Sequence, residues 1–228
     1  MIGAHSYATV CENLAMAFRQ RYARGGAIRL VGFLFARPSS RLAAEQIVPN
    51  LDYFHHRSAD EVDFFCAGYG MYWEVFRDKV PDMQVVAKVG DRDWLFSATM
   101  FNRFRQEVER EAKKWKYGGG VELVLANAHY EPNTSSAVID FNSAVALDLD
   151  KGLADEAFVT VEHLFEDIVR YAEKQRHDDP ARGLSNALGL EIVKSLPKRV
   201  LISLLPEAVR NDARKAFHFY IKDLAGQS

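Results

Sequence analysis

The chain has 228 residues, 48% of them hydrophobic and 26% charged, with a net charge of −2 at neutral pH. This length and composition suit a globular protein with a sizeable core, and the near-zero charge argues against nucleic acid or an anionic membrane as the main partner. Its two cysteines, Cys11 and Cys66, lie far apart and form no paired motif, which favours the reducing cytoplasm over a disulfide framework. We expect no transmembrane helix, because no apolar run reaches about 18 residues.

The first part of the chain predicts a strand–helix–strand unit. Residues 1–24 mix apolar and charged side chains, which predicts an amphipathic helix rather than a signal peptide. Mainly apolar runs over residues 28–36 and 62–66 predict two buried strands, and Ser39 or Ser40 can cap a helix between them. The turn after the first strand contains Arg-Pro-Ser-Ser where a glycine-rich phosphate loop would lie, so this turn lacks the commonest nucleotide-binding motif of such folds.

The middle of the chain predicts a hairpin, a helix and further strands. Runs over residues 83–89 and 94–97 flank a Gly-Asp-Arg-Asp turn and predict a β-hairpin. Apolar side chains then recur at three- and four-residue spacing and predict a helix with one buried face, namely Phe101, Phe104, Val108, Ala112 and Trp115. Further strands are predicted over residues 121–126, 137–141 and 144–149.

The last third of the sequence is mainly helical in its pattern. A broad apolar stripe over residues 154–173 predicts a helix packed against the sheet. The polar residues 175–183 predict a linker, and two further helices are predicted over residues 184–196 and 206–224.

These elements together predict an α/β fold, with a mixed or mostly parallel sheet and helices on both faces. We expect this domain over residues 1–179 and a small helical C-terminal extension over residues 180–228. Through Trp115 the order of elements resembles a thioredoxin-like core, without the Cys-x-x-Cys motif of that family. A Rossmann-like layer built from the four buried strands accounts for the same runs.

Polar side chains follow the four buried strands of this predicted sheet. In open α/β sheets, ligands bind outside the carboxyl ends of the strands, so these side chains would share one site if the strands were parallel. The ligand-binding candidates are Arg37, Ser39, Ser40, Tyr69 and Asn127. The catalytic candidates are Asp148, Asp150 and His129, of which Asp148 and Asp150 would also hold a metal.

Residues 145–155 form an apolar strand, an Asp-Leu-Asp sequence and a turn. This segment resembles the opening motif of haloacid dehalogenase-like phosphatases. The resemblance implies that Asp148 is a nucleophile, that Asp150 handles the leaving-group proton, and that magnesium offsets both charges. Lys151-Gly152 stands where that family has Gly-Thr, and the motif lies two-thirds of the way along the chain. A plain strand-to-helix turn is therefore the preferred interpretation.

The sequence Tyr-Phe-His-His-Arg-Ser at residues 53–58 is unusual for its adjacent histidines. Neighbouring residues on a helix point in different directions, so this pair is a poor chelator, and a structural role is preferred. A phosphate site formed by His56, Arg57 and Ser58 is the alternative interpretation.

No catalytic pattern in the sequence outweighs its structural explanation. We therefore predict a non-catalytic binding, sensor or adaptor module that acts in a larger cytoplasmic assembly, with a protein partner or as a homo-oligomer. Candidate partner-binding residues are Tyr72, Trp73, Phe217 and Tyr220. The alternative is a small metal-dependent hydrolase or phosphotransfer enzyme that uses Asp148, Asp150 and His129. The cofactor is unknown, magnesium is expected only for the enzyme, and nucleic acid is the least supported partner.

Overall fold

The computed structural model describes residues 2–21, 28–57, 62–70, 82–89, 92–174, 181 and 221–224. The strands are β1 (Ile2–Ala4), β2 (Ile28–Phe35), β3 (Val62–Ala67), β4 (Tyr69–Gly70), β5 (Met83–Val89), β6 (Arg92–Ser97), β7 (Glu122–Glu131), β8 (Ser136–Asp148) and β9 (Ile221–Asp223). The helices are α1 (Tyr7–Arg21), α2 (Leu51–Arg57), α3 (Ala98–Glu111), α4 (Leu149–Ala154) and α5 (Val161–Lys174). A π-helical turn (Ala43–Ile47) and a 3-10 turn (Val48–Asn50) lead into α2.

The larger of two sheets has six strands in the order β1-β3-β2-β7-β8-β9. Strands β1, β3 and β2 are parallel to one another, whereas β7 is antiparallel to both of its neighbours and β9 is antiparallel to β8. The smaller sheet is antiparallel and has the order β4-β6-β5, which confirms the predicted hairpin. The protein is thus an α/β protein with a mixed sheet, as the sequence predicted.

One face of the large sheet packs against α3 and the loop that follows it. The ring of Phe33 lies 5.8 Å from that of Phe104, and the ring of Phe35 lies 4.6 Å from that of Trp115. Trp115 was predicted within the helix, but the chain leaves helical geometry at Ala112. The loop then folds back, and Trp115 packs on the sheet from there.

The opposite face of the sheet packs against α2 and α5. The ring of Phe165 lies 4.4 Å from that of Phe64 and 4.7 Å from that of Phe54. Gly32 on the neighbouring strand leaves room for this cluster, because a Cβ atom there would lie 2.5 Å from the ring of Phe64. Both faces of the central strands are therefore covered, which explains why β2 and β3 are apolar in sequence apart from one charged residue each, Arg29 and Asp63.

Strand β7 continues five residues beyond the predicted end at residue 126, because Asn127 is accommodated inside the fold. Asn127 is buried and pairs with Leu30 of β2. Its side-chain amide donates to the hydroxyl of Ser143 at 2.9 Å, and its carbonyl oxygen accepts the N–H of Ala181 at 3.0 Å. These two bonds satisfy a polar side chain that would otherwise be costly to bury.

Two predicted strands form the single strand β8. Its register with β7 shifts between Leu125, which pairs with Val145, and Asn127, which pairs with Asp140. The polar residues 142–143, which separate the two apolar runs in the sequence, lie within this irregularity and not in a turn.

The helix predicted over residues 154–173 corresponds to α5, which begins seven residues later than predicted. Helix α4 ends at Ala154 and α5 begins at Val161. Between them, Glu156 has a φ of 54°, which is left-handed and incompatible with a continuous right-handed helix.

The end of the chain differs from the predicted C-terminal helix. Residues Ile221–Asp223 form β9 and pair with Val145 to Leu147 of β8. The prediction of a helix up to residue 224 is thus wrong for these residues, which belong to the main sheet. Most of the predicted extension lies outside the described residues, so the division at residue 180 stays a prediction.

Candidate functional site

One end of the large sheet collects the carboxyl ends of β1, β2, β3 and β8. Strand β7 begins at this end, where Glu122 pairs with Phe35 on one side and with Asp148 on the other. We call this end of the sheet the carboxyl edge. It comprises residues 36–40, 68–70 and 148–150, together with the loop 118–121 before β7.

His129 and Asn127 are not at the carboxyl edge. His129 pairs with Ile28 at the start of β2, because β7 runs antiparallel to its neighbours. His129 lies seven positions along the strand from Glu122, a distance of about 24 Å at about 3.4 Å per residue. The expectation that all four strand ends converge is therefore wrong for this strand, and His129 does not join Asp148 and Asp150.

Asp148 and Asp150 each bind a backbone N–H group at the carboxyl edge. Asp148 caps α4 by accepting the N–H of Lys151 at 3.0 Å. Asp150 accepts the N–H of Val121 at 2.6 Å, and its Oδ2 would lie only 2.6 Å from a Cβ atom placed on Gly120. This geometry is that of the strand-to-helix turn preferred from the sequence.

The described part of the chain contains no group of three or more His, Cys, Asp or Glu side chains placed to hold a metal ion. Asp148 and Asp150 therefore have no third ligand of these types among those residues. Their catalytic and metal-binding roles stay predictions.

Glu122 is a buried carboxylate at the carboxyl edge that the sequence pattern did not single out. Its Oε2 accepts the indole N–H of Trp115 at 2.7 Å, and its Oε1 accepts the N–H of Gly118 at 2.5 Å. Burial raises the pKa of Glu122, although these two bonds oppose the shift. The only sequence signal for it is an acidic residue at the first position of a buried strand. Glu122 fixes the loop from α3 to β7.

Arg37 is the cation of the carboxyl edge. Its Nη2 donates to Oδ1 of Asn102 at 3.0 Å, and its guanidinium carbon lies 4.9 Å from the ring centre of Phe101. Arg37 also lies beside Tyr117; burial raises the pKa of that phenol, and the guanidinium acts in the opposite direction. No carboxylate in the described segments lies within 4 Å of the Arg37 guanidinium. Three neutral side chains, those of Phe101, Asn102 and Tyr117, therefore surround this charge.

The two serines after Arg37 have different environments. Ser40 donates its hydroxyl to the carbonyl of Arg37 at 3.0 Å and accepts the N–H of Ala43, so it starts the helical segment. Ser39 is exposed. Ser40 thus has the capping role predicted for Ser39 or Ser40, and Ser39 lies on the surface.

Tyr69 lies in the core and not on the surface of the carboxyl edge. Its ring is fully buried and packs against Phe96, with ring centres 5.0 Å apart. Burial raises the pKa of Tyr69 well above its ordinary value. The side chain is thus enclosed by the core. No observed contact tests its ligand-binding role, which stays a prediction.

The candidate partner-binding residues Tyr72, Trp73, Phe217 and Tyr220 lie outside the described residues. Within the described residues, no helix is long and apolar enough to cross a bilayer.

Arg57 from the histidine-containing segment links α2 to α5. Its Nε and Nη2 donate to the two carboxylate oxygens of Glu166 at 2.6 and 3.0 Å, and the hydroxyl of Tyr53 also donates to Glu166. This bidentate pair gives Arg57 a structural role and occupies the cation of the alternative phosphate site.

The Arg57–Glu166 pair predicts a pH-dependent contribution to stability. Hydrogen bonds from Arg57, and then from Tyr53, hold the pKa of Glu166 below its ordinary value. Because the folded-state pKa is depressed, the stabilisation is complete above about pH 4.3 and is lost as the pH falls through the lowered value. With side chains 40% and 19% exposed, solvent screening limits the loss in Arg57→Gln to about 1 kcal/mol at neutral pH.

Urea unfolding of wild type and Arg57→Gln from about pH 7 to about pH 2 tests this expectation. The difference between the two proteins should vanish at the acid end. Arg41→Gln is the control, because the Arg41–Glu45 pair has 88% and 55% exposed side chains and should contribute little at any pH. A difference that persists unchanged at acid pH would contradict the assignment to Glu166.

No family model, curated protein or solved structure matches this chain. The chain is an α/β protein with a mixed sheet, and its function has to be argued from the geometry of the carboxyl edge.

Proposed function

We propose that the protein is a non-catalytic binding module that recognises an anionic group through Arg37 at the carboxyl edge. The observation that carries the proposal is the fixed guanidinium of Arg37, held by Asn102 and Phe101 without a carboxylate partner among the described residues. A guanidinium presents several N–H donors in a planar fork that matches phosphate and carboxylate groups. Holding it in place beforehand lowers the entropy cost of binding.

The carboxylates at the carboxyl edge support binding rather than catalysis. Asp148, Asp150 and Glu122 each accept at least one backbone N–H group and fix the adjacent loops. A hydrolase or phosphotransfer enzyme that combined His129 with Asp148 and Asp150 would have to bring together groups from opposite ends of the large sheet. No arrangement among the described residues favours that alternative.

A sensor or adaptor role, with a protein partner or a second copy of the chain, remains part of the proposal. This role rests on the candidate partner-binding residues predicted from the sequence, which lie outside the described residues, and on no observed contact. We also propose a Rossmann-like or thioredoxin-like layering, supported by the parallel strands β1, β3 and β2 and by helices on both faces of the sheet. A cytoplasmic location is proposed from the cysteine usage alone.

Calorimetric titration with inorganic phosphate, at constant ionic strength, tests the role of Arg37. Wild-type protein should bind phosphate saturably, and Arg37→Gln should weaken binding about 10- to 100-fold, the effect of losing a charged hydrogen-bonding group. Arg37→Lys should fall between them, because lysine retains the charge but not the fork.

Arg41→Gln is the matched control for this titration. It removes the same charge four residues away, from an exposed side chain paired with Glu45. Its phosphate affinity should equal that of wild type. Absence of saturable binding, or equal losses in Arg37→Gln and Arg41→Gln, would refute recognition by Arg37. Circular dichroism would confirm that each variant is folded.

A further inference from the structure

A cavity of about 600 Å³ lies between the C-terminal end of α3 and the first half of β8. None of its lining residues belongs to the carboxyl edge. Three buried side chains, those of Ala112, Ile139 and Leu224, line it and give it an apolar wall. Its volume falls in the range of about 300–1,000 Å³ that is usual for small-molecule sites.

The cavity has two exposed lysines on one side. Lys113 and Lys114 both line it, and neither ammonium group has a carboxylate within 4 Å among the residues described. Lys222 lies next to them, since its ammonium donates to the carbonyl of Lys114 at 2.8 Å. His129 adds a further nitrogen donor to the lining. Lys113 and Lys114 thus bring two ammonium groups to the lining, and Lys222 places a third nearby.

The two acidic residues of the lining have neighbours of their own. Asp140 accepts the N–H of Asn142 through Oδ1 at 2.8 Å. Glu111 lies near Tyr7 and Cys11, where its negative charge helps burial to raise the pKa of both groups. Because the lining carries two carboxylates as well as two ammonium groups, an anionic ligand would have to place its charge at the lysines and away from Glu111 and Asp140.

We propose that this cavity binds a small amphipathic anion. The apolar body of the ligand would lie against Ile139, Phe141 and Leu224, and its carboxylate or other oxyanion would face Lys113 and Lys114. Burial of the apolar body supplies most of the affinity, and the two lysines select for the charge. This site is independent of Arg37, so either site can fail without the other.

Calorimetric titration with octanoate tests the proposal, with acetate and 1-octanol as the two partial ligands. Octanoate should bind saturably and more tightly than either, because acetate lacks the apolar body and 1-octanol lacks the charge. The double variant Lys113→Gln/Lys114→Gln should weaken octanoate binding about three- to tenfold, as expected for two partly exposed ion pairs. Its affinity for 1-octanol should not change.

Two control variants show whether octanoate binds at this cavity or elsewhere on the protein. Lys116→Gln removes an exposed lysine of the same loop that does not line the cavity, and Arg37→Gln removes the cation of the carboxyl edge. Both should bind octanoate as wild type does. Absence of saturable octanoate binding, or an equal loss in Lys116→Gln and the double variant, would overturn the proposal. Loss in Arg37→Gln alone would move octanoate to the carboxyl edge and also overturn it.

Discussion

Replacing Asp63 by asparagine is expected to lower the free energy of unfolding by about 3–5 kcal/mol. Asp63 and Arg29 lie on the neighbouring strands β3 and β2, with Oδ2 and Nε 3.2 Å apart, and their side chains are only 5% and 2% exposed. The substitution removes the carboxylate charge that faces the buried guanidinium of Arg29. Urea unfolding, followed by far-UV circular dichroism, measures the loss.

A double replacement shows whether the loss comes from the uncompensated charge. In Arg29→Met/Asp63→Leu both charges are gone and the volume is largely retained, so stability should recover most of the way to that of wild type. Glu45→Gln breaks the exposed pair with Arg41 and should change stability by less than about 0.5 kcal/mol. An Asp63→Asn variant as stable as Glu45→Gln would show that the buried pair is not needed for stability.

Replacing Gly68 by alanine is expected to destabilise the protein by about 2–5 kcal/mol. Gly68 joins β3 to β4 with a φ of +77°, and a Cβ atom there would lie 2.7 Å from the carbonyl oxygen of Ser97 and 2.8 Å from Cβ of Phe101. Gly68 also donates its N–H to Ala4 and accepts that of Ser97. It thus ties β1, β3 and the start of α3 together, so a backbone shift to admit a methyl group would disturb all three.

Gly119→Ala isolates the steric part of this effect. Gly119 also has a positive φ, of +101°, but a Cβ atom there would meet nothing within 4 Å. In Gly119→Ala the free energy of unfolding should therefore fall only by the cost of placing alanine at a positive φ, about 1–2 kcal/mol. Equal losses in Gly68→Ala and Gly119→Ala, measured by urea unfolding, would show that the close packing around Gly68 adds no cost.

Local features of the site were predictable from the sequence. The caps at Ser40 and Asp148 involve N–H groups three residues further along the chain, so a short stretch of sequence contains both partners. The turn after β8 was also predictable from nearby residues. Its interpretation as a strand-to-helix connection agrees with the hydrogen bond that the N–H of Lys151 donates to Asp148. The preference for a structural role of Arg57 also agrees with the structure, although its partner Glu166 could not be named.

Features that depend on distant partners were not predictable. The strand was predicted to end before Asn127 because this residue is polar. Its bonds to Ser143 and Ala181, which lie further along the chain, explain how it is buried within β7. Glu122 looked like an ordinary charged residue, and its role follows from the return of the loop that carries Trp115 and Gly118. The strand Ile221–Asp223 depends on β8, more than seventy residues earlier in the chain.

The sequence by itself determined the α/β class, the buried strands β2 and β3 and the absence of a phosphate loop, because burial and turn chemistry are recorded in residue type and spacing. Strand direction was decided only by the tertiary structure. An apolar run has the same pattern whether its neighbour is parallel or antiparallel, since side chains alternate identically in both cases. The direction of β7 places Arg37 with Asp148 at one end of the sheet and His129 at the other.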